Sequence, residues 1–314
     1  MDYTTLGRTG LKVSVAGLGC GGNSKIGQGK GQSKDDSIRL IRRAMDLGIN
    51  FFDTAEAYGT EGVVGEAIRD VPRDQVVIST KYHAGGVSGD QLAAAIDASL
   101  RELGTDYIDV FHLHGVHPQT YDHAIDELAP ELMRARDAGK IRFPGITETS
   151  PNDHEHSMLQ RAVGDDCWDV IMLGFNMMHQ AARPALLPQT MEKGIGTLMM
   201  FVVRNIFSVP GRLQDTVKKL AVSGQVPDSL ADDEDPLGFL VHDRGADSVI
   251  DAAYRYVRHQ PGADVVLFGT SRVEHLESNI TSILKPPLPK EDTDRLAEWF
   301  GHLRGVGLDR PGPV

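Results

Sequence analysis

The sequence predicts a closed (β/α)8 TIM-type barrel, an eight-stranded parallel barrel ringed by helices, and three observations carry that prediction. Short apolar runs alternate with helix-patterned segments almost from end to end, about eight times over, which is the rhythm of such a barrel. Polar residues stand at or just past the ends of apolar runs: Asp53 and Tyr58 after 49–52, Lys81 after 76–78, His114 after 108–111. The chain has 314 residues, 40% of them hydrophobic, enough for one large core. A barrel gathers the ends of its strands at one mouth, so reactive residues at strand ends assemble one site from distant parts of the chain. An open doubly wound sheet is the competing architecture, and it wants a Gly-x-Gly-x-x-Gly turn opening a helix directly after the first strand. Gly17-Leu18-Gly19-Cys20-Gly21-Gly22 has similar glycines, but no helix opens at the right one.

In chain order, residues 13–18 read as the first strand. Residues 36–47 read as a helix with Ile38, Ile41 and Met45 on one face. Strand 49–53 and helix 62–70 follow, then strand 75–81. Residues 91–103 are helical because Leu92, Ile96, Leu100 and Leu103 recur at helical spacing. Strand 107–114 leads to helix 122–138, which Gly139 stops. Strands 141–146 and 169–173 flank a helix over 152–163, on which His154 and His156 read as surface residues. Helix 184–192, strand 196–200, helix 245–259, strand 265–268 and helix 273–284 complete the alternation. Residues 201–244 interrupt it with Pro210, Pro227, Pro236 and the acidic run Asp232-Asp233-Glu234-Asp235. Long connections of this kind are functional lids or disordered, and the acidic run reads as solvated surface. After Lys285-Pro286-Pro287-Leu288-Pro289 come an extra C-terminal helix to about residue 304 and a Pro/Gly tail. With no internal repeat, residues 1–314 are expected to form a single barrel domain.

The formal charge is −12, from 32 basic and 44 acidic residues, which argues against a nucleic-acid partner. A small anionic cofactor must then be gripped by a local cationic pocket and backbone N–H groups rather than by the general field. Two cysteines, Cys20 and Cys167, make no disulfide framework, and a reduced cytoplasmic compartment is expected. No apolar run is long enough for a membrane span, and the N-terminus lacks the pattern of a signal peptide.

Strand alternation puts Val110, His112 and His114 on one face, and likewise pairs Phe51 with Asp53 and Ser79 with Lys81. Asp53, Lys81 and His114 can therefore meet on the inner rim of one barrel. A free tyrosine ionises near pH 10 and is a sluggish acid at neutral pH. A cation about 4 Å away, at an effective dielectric near 20, is worth up to roughly 4 kcal/mol, or about three pKa units. Lys81 can supply that cation, Asp53 can keep it charged and aimed, and His114 can orient a carbonyl. The set suits protonating an alkoxide as hydride reaches a carbonyl carbon, or the reverse. Asp53 with Lys81 also admits a plain structural ion pair. His112 and His114 share a face as metal ligands do, but Thr147, Asp169 and Thr270 at later strands do not complete a ligand set. No metal is expected, and His112 reads as a hydrogen-bonded interior histidine.

These segments resemble the aldo-keto reductase family over nearly the whole chain. Thr5-Leu6-Gly7-Arg8-Thr9-Gly10-Leu11-Lys12-Val13-Ser14 is similar to that family's N-terminal β-hairpin. Phe51-Phe52-Asp53-Thr54-Ala55-Glu56-Ala57-Tyr58-Gly59 matches its first catalytic motif, Ile78-Ser79-Thr80-Lys81 its lysine strand and Asp106-Tyr107-Ile108-Asp109-Val110-Phe111-His112-Leu113-His114 its histidine strand. Gly139-Lys140-Ile141-Arg142 leads into Gly145-Ile146-Thr147-Glu148. Phe268-Gly269-Thr270-Ser271-Arg272-Val273-Glu274-His275-Leu276-Glu277-Ser278-Asn279 resembles the segment that grips the adenosine phosphate. The resemblance implies an NAD(P)(H)-dependent oxidoreductase acting on a small carbonyl substrate. Tyr58 would be the general acid/base, with Asp53, Lys81 and His114 in support.

The resemblance also implies cofactor contacts at Gly21, Thr147, Glu148, Met172, Met200, Arg204, Gly269, Thr270, Arg272, His275 and Asn279. Several depart from the family's usual types. Ile146-Thr147-Glu148 replaces a common Val-Ser-Asn that holds the nicotinamide carboxamide; Thr147 can hydrogen-bond, and Glu148 can only accept. Met172 stands for a glutamine, and Met200 for an aromatic under the nicotinamide ring. Gly115-Val116 follows His114 where Trp-Pro is frequent. Arg272 is the remaining cation for a 2′-phosphate, so NADP(H) is favoured and NAD(H) is the alternative. An NAD-linked sugar or alcohol dehydrogenase on the same site, or a nicotinamide-binding regulatory subunit with vestigial activity, are the alternative functions.

Overall fold

The structure, a computed structural model, describes residues 1–308. Among the described residues ten strands form: β1 (Tyr3–Thr5), β2 (Lys12–Ser14), β3 (Ala16–Gly19), β4 (Phe51–Asp53), β5 (Val77–His83), β6 (Ile108–Val116), β7 (Ile141–Glu148), β8 (Val170–Gly174), β9 (Gly196–Met200) and β10 (Val265–Phe268). β3 to β10 close into a parallel barrel in sequence order, with β10 pairing β3. Register puts Asp53 beside Ser79, and Lys81 beside His112.

Alternation divides the apolar residues into two layers. Phe51, Val77, Val110, Val170, Met172, Leu198, Val265 and Leu267 fill the barrel interior. Their neighbours Phe52, Ile78, Phe111, Ile171, Met199 and Val266 point out to a larger core beneath the helices. Leu6, Leu11 and Val13 join the inner cluster from the antiparallel β1–β2 hairpin. The hairpin thus floors the barrel at its N-terminal end, leaving the other end for chemistry. Gly7, with φ +47, lies so close to the start of β9 that a Cβ there would overlap its backbone. Arg8 ties the hairpin to Asp169 at 2.8 Å and donates to the carbonyls of Asp166 and Trp168.

Where the structure differs from the expected elements, the cause is local. The first expected strand is two, because the chain leaves the hairpin at Val15 before entering the barrel. The helix before β7 contains a π segment, Ala124–Leu128, just ahead of Pro130, which has no N–H to donate. The helix expected over 152–163 shrinks to Ser157–Ala162. Its start is fixed by Asp153, whose carboxylate accepts from the Ser157 and Met158 N–H groups at 2.9 Å each. His156 is consequently not on a helix surface: it takes a left-handed backbone, φ 56, and is fully buried. The helix expected over 184–192 breaks at Leu186, ahead of Pro188, into Ala182–Ala185 and Leu187–Lys193. Residues 201–244 hold helix Arg212–Val222, whose Leu213, Val217 and Leu220 are buried. The extra C-terminal helix is Lys290–Phe300. The Pro/Gly tail beyond residue 308 lies outside the described residues.

Candidate active site

The barrel topology brings the four expected proton-handling residues together. Asp53 ends β4, Lys81 lies in β5, His114 lies in β6, and Tyr58 closes the short turn Glu56–Tyr58. Lys81 is 1% exposed and donates from Nζ to Asp53 Oδ1 and to the Thr54 carbonyl, each at 2.6 Å. Its ammonium lies 5.2 Å from the centroid of the Tyr58 ring. The Tyr58 hydroxyl is 3.5 Å from His114 Nε2, and the two rings meet edge to face. Gly115, at φ +66, shifts the β6–β7 register between Leu113 and Val116. A bulge of this kind re-aims the side chains beside it, here His114. A bulky residue at Gly115 would be strained in that backbone, which accounts for the absence of a tryptophan.

Electrostatics assign a protonation state to each group. Burial alone would push the Lys81 pKa down, but the charges of Asp53 and Tyr58 and the Asp53 hydrogen bond raise it above the ordinary lysine value. Burial pushes the Tyr58 phenol up; Lys81 pulls it back, and Asp53 opposes Lys81. The net direction in the free protein is upward, so Tyr58 carries its proton at neutral pH. His114 is pushed down to about 3 by burial, by Lys81 and by His83, so its ring is neutral. Cys20, in the same field, is pushed far up by burial and stays a thiol.

The expected cofactor contacts are spread along one side of the same mouth. Gly21 touches Tyr58, because a Cβ there would overlap the phenol ring. Gly269, at the end of β10, faces the carbonyl of Gly19, which a Cβ would approach to 3.3 Å. Thr270 Oγ1 accepts from the Arg272 N–H at 3.1 Å, turning the chain into helix Val273–Leu284. Arg272 is exposed at the helix start, 3.6 Å from Glu274. His275 is exposed and Asn279 half-buried on the same helix. Thr147 Oγ1 accepts from the Gly115 N–H at 2.8 Å. Met172 sits in the barrel interior, with Met200 packed against that cluster.

The pattern of the aldo/keto reductase family matches residues 17–299. The chain belongs to the aldo/keto reductase family. The aldo/keto reductases are NAD(P)(H)-dependent oxidoreductases, and the chain is an enzyme of that kind. It is 30% identical over 303 residues to the aldo-keto reductase YhdN of Bacillus subtilis, covering 88% of this chain and 87% of that one. It is 34% identical over 212 residues to the L-galactose dehydrogenase of Arabidopsis thaliana, covering 63% of this chain and 64% of the relative. Among solved structures, the holo form of aldo-keto reductase AKR11C1 from Bacillus halodurans superposes with a TM-score of 0.72 at 21% identity, covering 100% and 98% of the two chains. The aldo-keto reductase of Klebsiella pneumoniae in complex with NADPH gives 0.70 at 23% identity, covering 98% and 99%. Those two likenesses establish the fold.

Glu148, expected to accept from the carboxamide, ends β7 with its carboxylate buried and bonded within the protein. Oε1 accepts from Ser150 Oγ at 2.7 Å and the Gly174 N–H at 2.8 Å, and Oε2 accepts from His156 Nδ1 at 2.7 Å. Glu148 therefore latches the end of β7 to the end of β8. Two residues given no site role from the sequence, Phe201 and Ser79, also enter the site region, beside the expected Arg204 and the interior His112. Phe201, one past β9, has φ 63 and lays its ring beside Gly174. The Arg204 guanidinium stands 4.6 Å from the centroid of that ring. Ser79 and His112 lie directly beneath Asp53. A phenylalanine next to a strand end was the available signal for Phe201, and a serine two before the lysine on the inner face for Ser79.

Two outcomes are expected. Gly21→Ala should displace the Tyr58 ring and lower turnover strongly with little change in melting temperature, checked by kinetics beside calorimetry. Burial opposes charge on His156, but Glu148, with Asp153 and Glu155, raises its pKa above the usual 6.5. The stabilisation from the Glu148–His156 pair is therefore full below 6.5 and lost as pH climbs through the raised folded value. Glu148→Gln should cost about 3–5 kcal/mol at mildly acidic pH. Its deficit relative to the unsubstituted protein should shrink toward alkaline pH in denaturant titrations.

Proposed function

We propose that this enzyme transfers hydride between NADPH and an aldehyde, ketone or sugar carbonyl, with Tyr58 as the general acid/base. The observation that carries the reading is the buried Lys81–Asp53 pair at 2.6 Å, with its ammonium beneath the Tyr58 ring and His114 Nε2 at 3.5 Å from the phenol oxygen. The residues present fit a dinucleotide. Gly19, Gly21 and Gly269 carry no side chain at the ends of β3 and β10, so the backbone there is bare; a Cβ at Gly21 would strike the Tyr58 ring, and one at Gly19 or Gly269 would crowd the neighbouring strand end. The start of helix Val273–Leu284 offers N–H groups that have no intrahelical partner, and Arg272 is exposed beside them. Thr147 and Met172 would lie toward the nicotinamide, and Phe201 would give its ring a flat apolar face. Arg272, His275 and Asn279 would hold the adenosine end. A bound nicotinamide supplies or accepts the hydride.

The protein's own share is proton handling. In the reductive direction Tyr58, protonated at neutral pH, gives its hydrogen to the oxygen of the carbonyl as negative charge develops there. Lys81 stabilises the phenolate left behind, and Asp53 keeps Lys81 charged and fixed. Neutral His114 donates or accepts one hydrogen bond and so orients the carbonyl toward the phenol. In the oxidative direction the phenolate removes the alcohol proton.

A sugar dehydrogenase working oxidatively is the second reading, favoured by the likeness to a relative named for L-galactose. Glu274 beside Arg272 weakens the cationic claim on a 2′-phosphate and bears on the choice of cofactor.

Tyr58→Phe should lower turnover by roughly 10²–10⁴ with NADPH affinity retained; near-normal turnover on a carbonyl panel would remove Tyr58 from the role. Because the Tyr58 pKa is raised, reduction should stay level through neutral pH and fall only above the ordinary tyrosine value of 10.0, whereas oxidation should climb with pH. Arg272→Ala should weaken NADPH binding about tenfold, the worth of one charge-assisted hydrogen bond, and leave NADH binding unchanged in fluorescence titration. Equal losses for both cofactors would point to NAD(H).

A further inference from the structure

Behind Asp53 lies a hydrogen-bonded arm that reaches no solvent. Asp53 Oδ1 accepts two bonds, from Lys81 Nζ at 2.6 Å and from Ser79 Oγ at 2.8 Å. Ser79 Oγ in turn lies 3.1 Å from His112 Nε2. Ser79 and His112 are both 0% exposed. The direction of each bond follows from counting hydrogens. A carboxylate only accepts, so the single hydroxyl hydrogen of Ser79 goes to Asp53. Ser79 must then accept from His112, whose Nε2 therefore carries the ring proton. A neutral imidazole has one such proton, which leaves Nδ1 bare, and Nδ1 is a buried atom without a hydrogen-bond partner. The ring is held in place by close packing, since a Cβ on Gly145 would overlap it at Nδ1. Burial, Lys81 and His114 oppose a positive charge on His112 and outweigh the backbone of Ile146, which favours one, so the ring stays neutral.

We propose that Ser79 and His112 are positioning residues for the proton-transfer site, fixing the Asp53 carboxylate so that Lys81 keeps its field on Tyr58. The inference rests on the reading of Tyr58 as the proton donor. Two carboxylate roles conflict at this site. Asp53 must hold Lys81 in an interior that would otherwise expel the charge, yet its own negative charge opposes the effect of Lys81 on the phenol. A hydroxyl donating to the same oxygen as Lys81 draws charge away from Tyr58 and fixes the rotation of the carboxylate. The His112 bond holds that hydroxyl from its other side and keeps its hydrogen on Asp53. Removing the arm leaves more uncompensated negative charge at Asp53 and raises the Tyr58 pKa further. The charged and titratable groups facing Tyr58 are Lys81 from β5, Asp53 at the end of β4 and Cys20 after β3, with His114 from β6 in ring contact. Those facing His112 are Lys81 and His114.

The test needs no substrate. In ¹⁵N-histidine NMR of the full chain, His112 should be the Nε2–H neutral tautomer across the pH range in which the protein is folded. The alkaline tyrosinate absorbance of Tyr58, isolated by subtracting the Tyr58→Phe protein, should move to higher pH in Ser79→Ala and return with Ser79→Thr. His112→Leu should move it the same way and His112→Gln, which keeps a donor, should restore it; this pair carries the test if Ser79→Ala is too unstable to titrate. Where turnover is measurable, Ser79→Ala should lower kcat about tenfold, as for one hydrogen bond to a charged group, with KM for the cofactor unchanged. An Nδ1–H tautomer, or a Tyr58 titration indifferent to Ser79 and His112, overturns the inference. Absence of carbonyl turnover alongside the expected tautomer and titration shifts would instead count against the proposed activity and leave the arm standing.

Discussion

The rest of this molecule is organised around one buried ion pair. An ammonium with 1% exposure is a costly thing to hold inside a protein, and it stays charged only if its hydrogen bonds replace water. Lys81 gives two of its three protons to Asp53, the last residue of β4, and to Thr54 just past it, and its third side is turned toward Tyr58. That leaves no room for adjustment. β4 and β5 must be adjacent and in the register that sets Asp53 beside Ser79, and the turn after β4 must return Tyr58 over the barrel mouth. A closed parallel barrel supplies such adjacency with all strands pointing the same way. The hairpin seals the opposite end, which keeps water from reaching the pair through the floor.

Glycines set the tolerances. Gly21 allows the Tyr58 ring to lie against the segment after β3, Gly145 allows His112 to lie flat across β7, and Gly269 brings β10 up to β3. In each case what matters is the missing Cβ rather than an unusual backbone angle. Gly115 is the exception, where a left-handed residue turns β6 out of register beside His114.

Most of the fold and the proton-handling set was legible from periodicity. A period-2 pattern names the inner face, and a strand's last inner-facing residue is at the mouth whatever the details of the loops. This is why Asp53, Lys81 and His114 could be placed from the chain alone, and β9, β10 and helix Val273–Leu284 to the residue. What was not legible depends on contacts between distant loops. His156 looks like a helix-surface residue because its neighbours have helical composition, but Asp153 caps the helix later and a left-handed backbone turns the imidazole inward. With His156 inside, Glu148 gains a partner that no spacing rule connects to it. Phe201 escapes the alternation for the same reason, since its backbone at φ 63 departs from the strand that precedes it.

The two halves of the site therefore differ in how they are held. Asp53, Lys81 and His114 sit on strands, and Tyr58 on the short turn after β4, with Lys81 and Asp53 bonded to one another and to their neighbours. The side proposed to take the dinucleotide is set by strand ends and the turns after them, where Glu148, paired with His156, accepts from the Gly174 N–H and so joins β7 to β8, and Phe201 leans over Gly174. Glu148 makes a buried connection between β7 and β8, the two strands that shape that side of the mouth. Thr147, held by the Gly115 N–H, is bonded to the same bulge that aims His114. One short stretch of β6 and β7 thus ties Thr147 to the segment that carries His114. That tie runs from a backbone N–H to a threonine hydroxyl, so the spacing of Thr147 and His114 follows the strand pairing at the bulge.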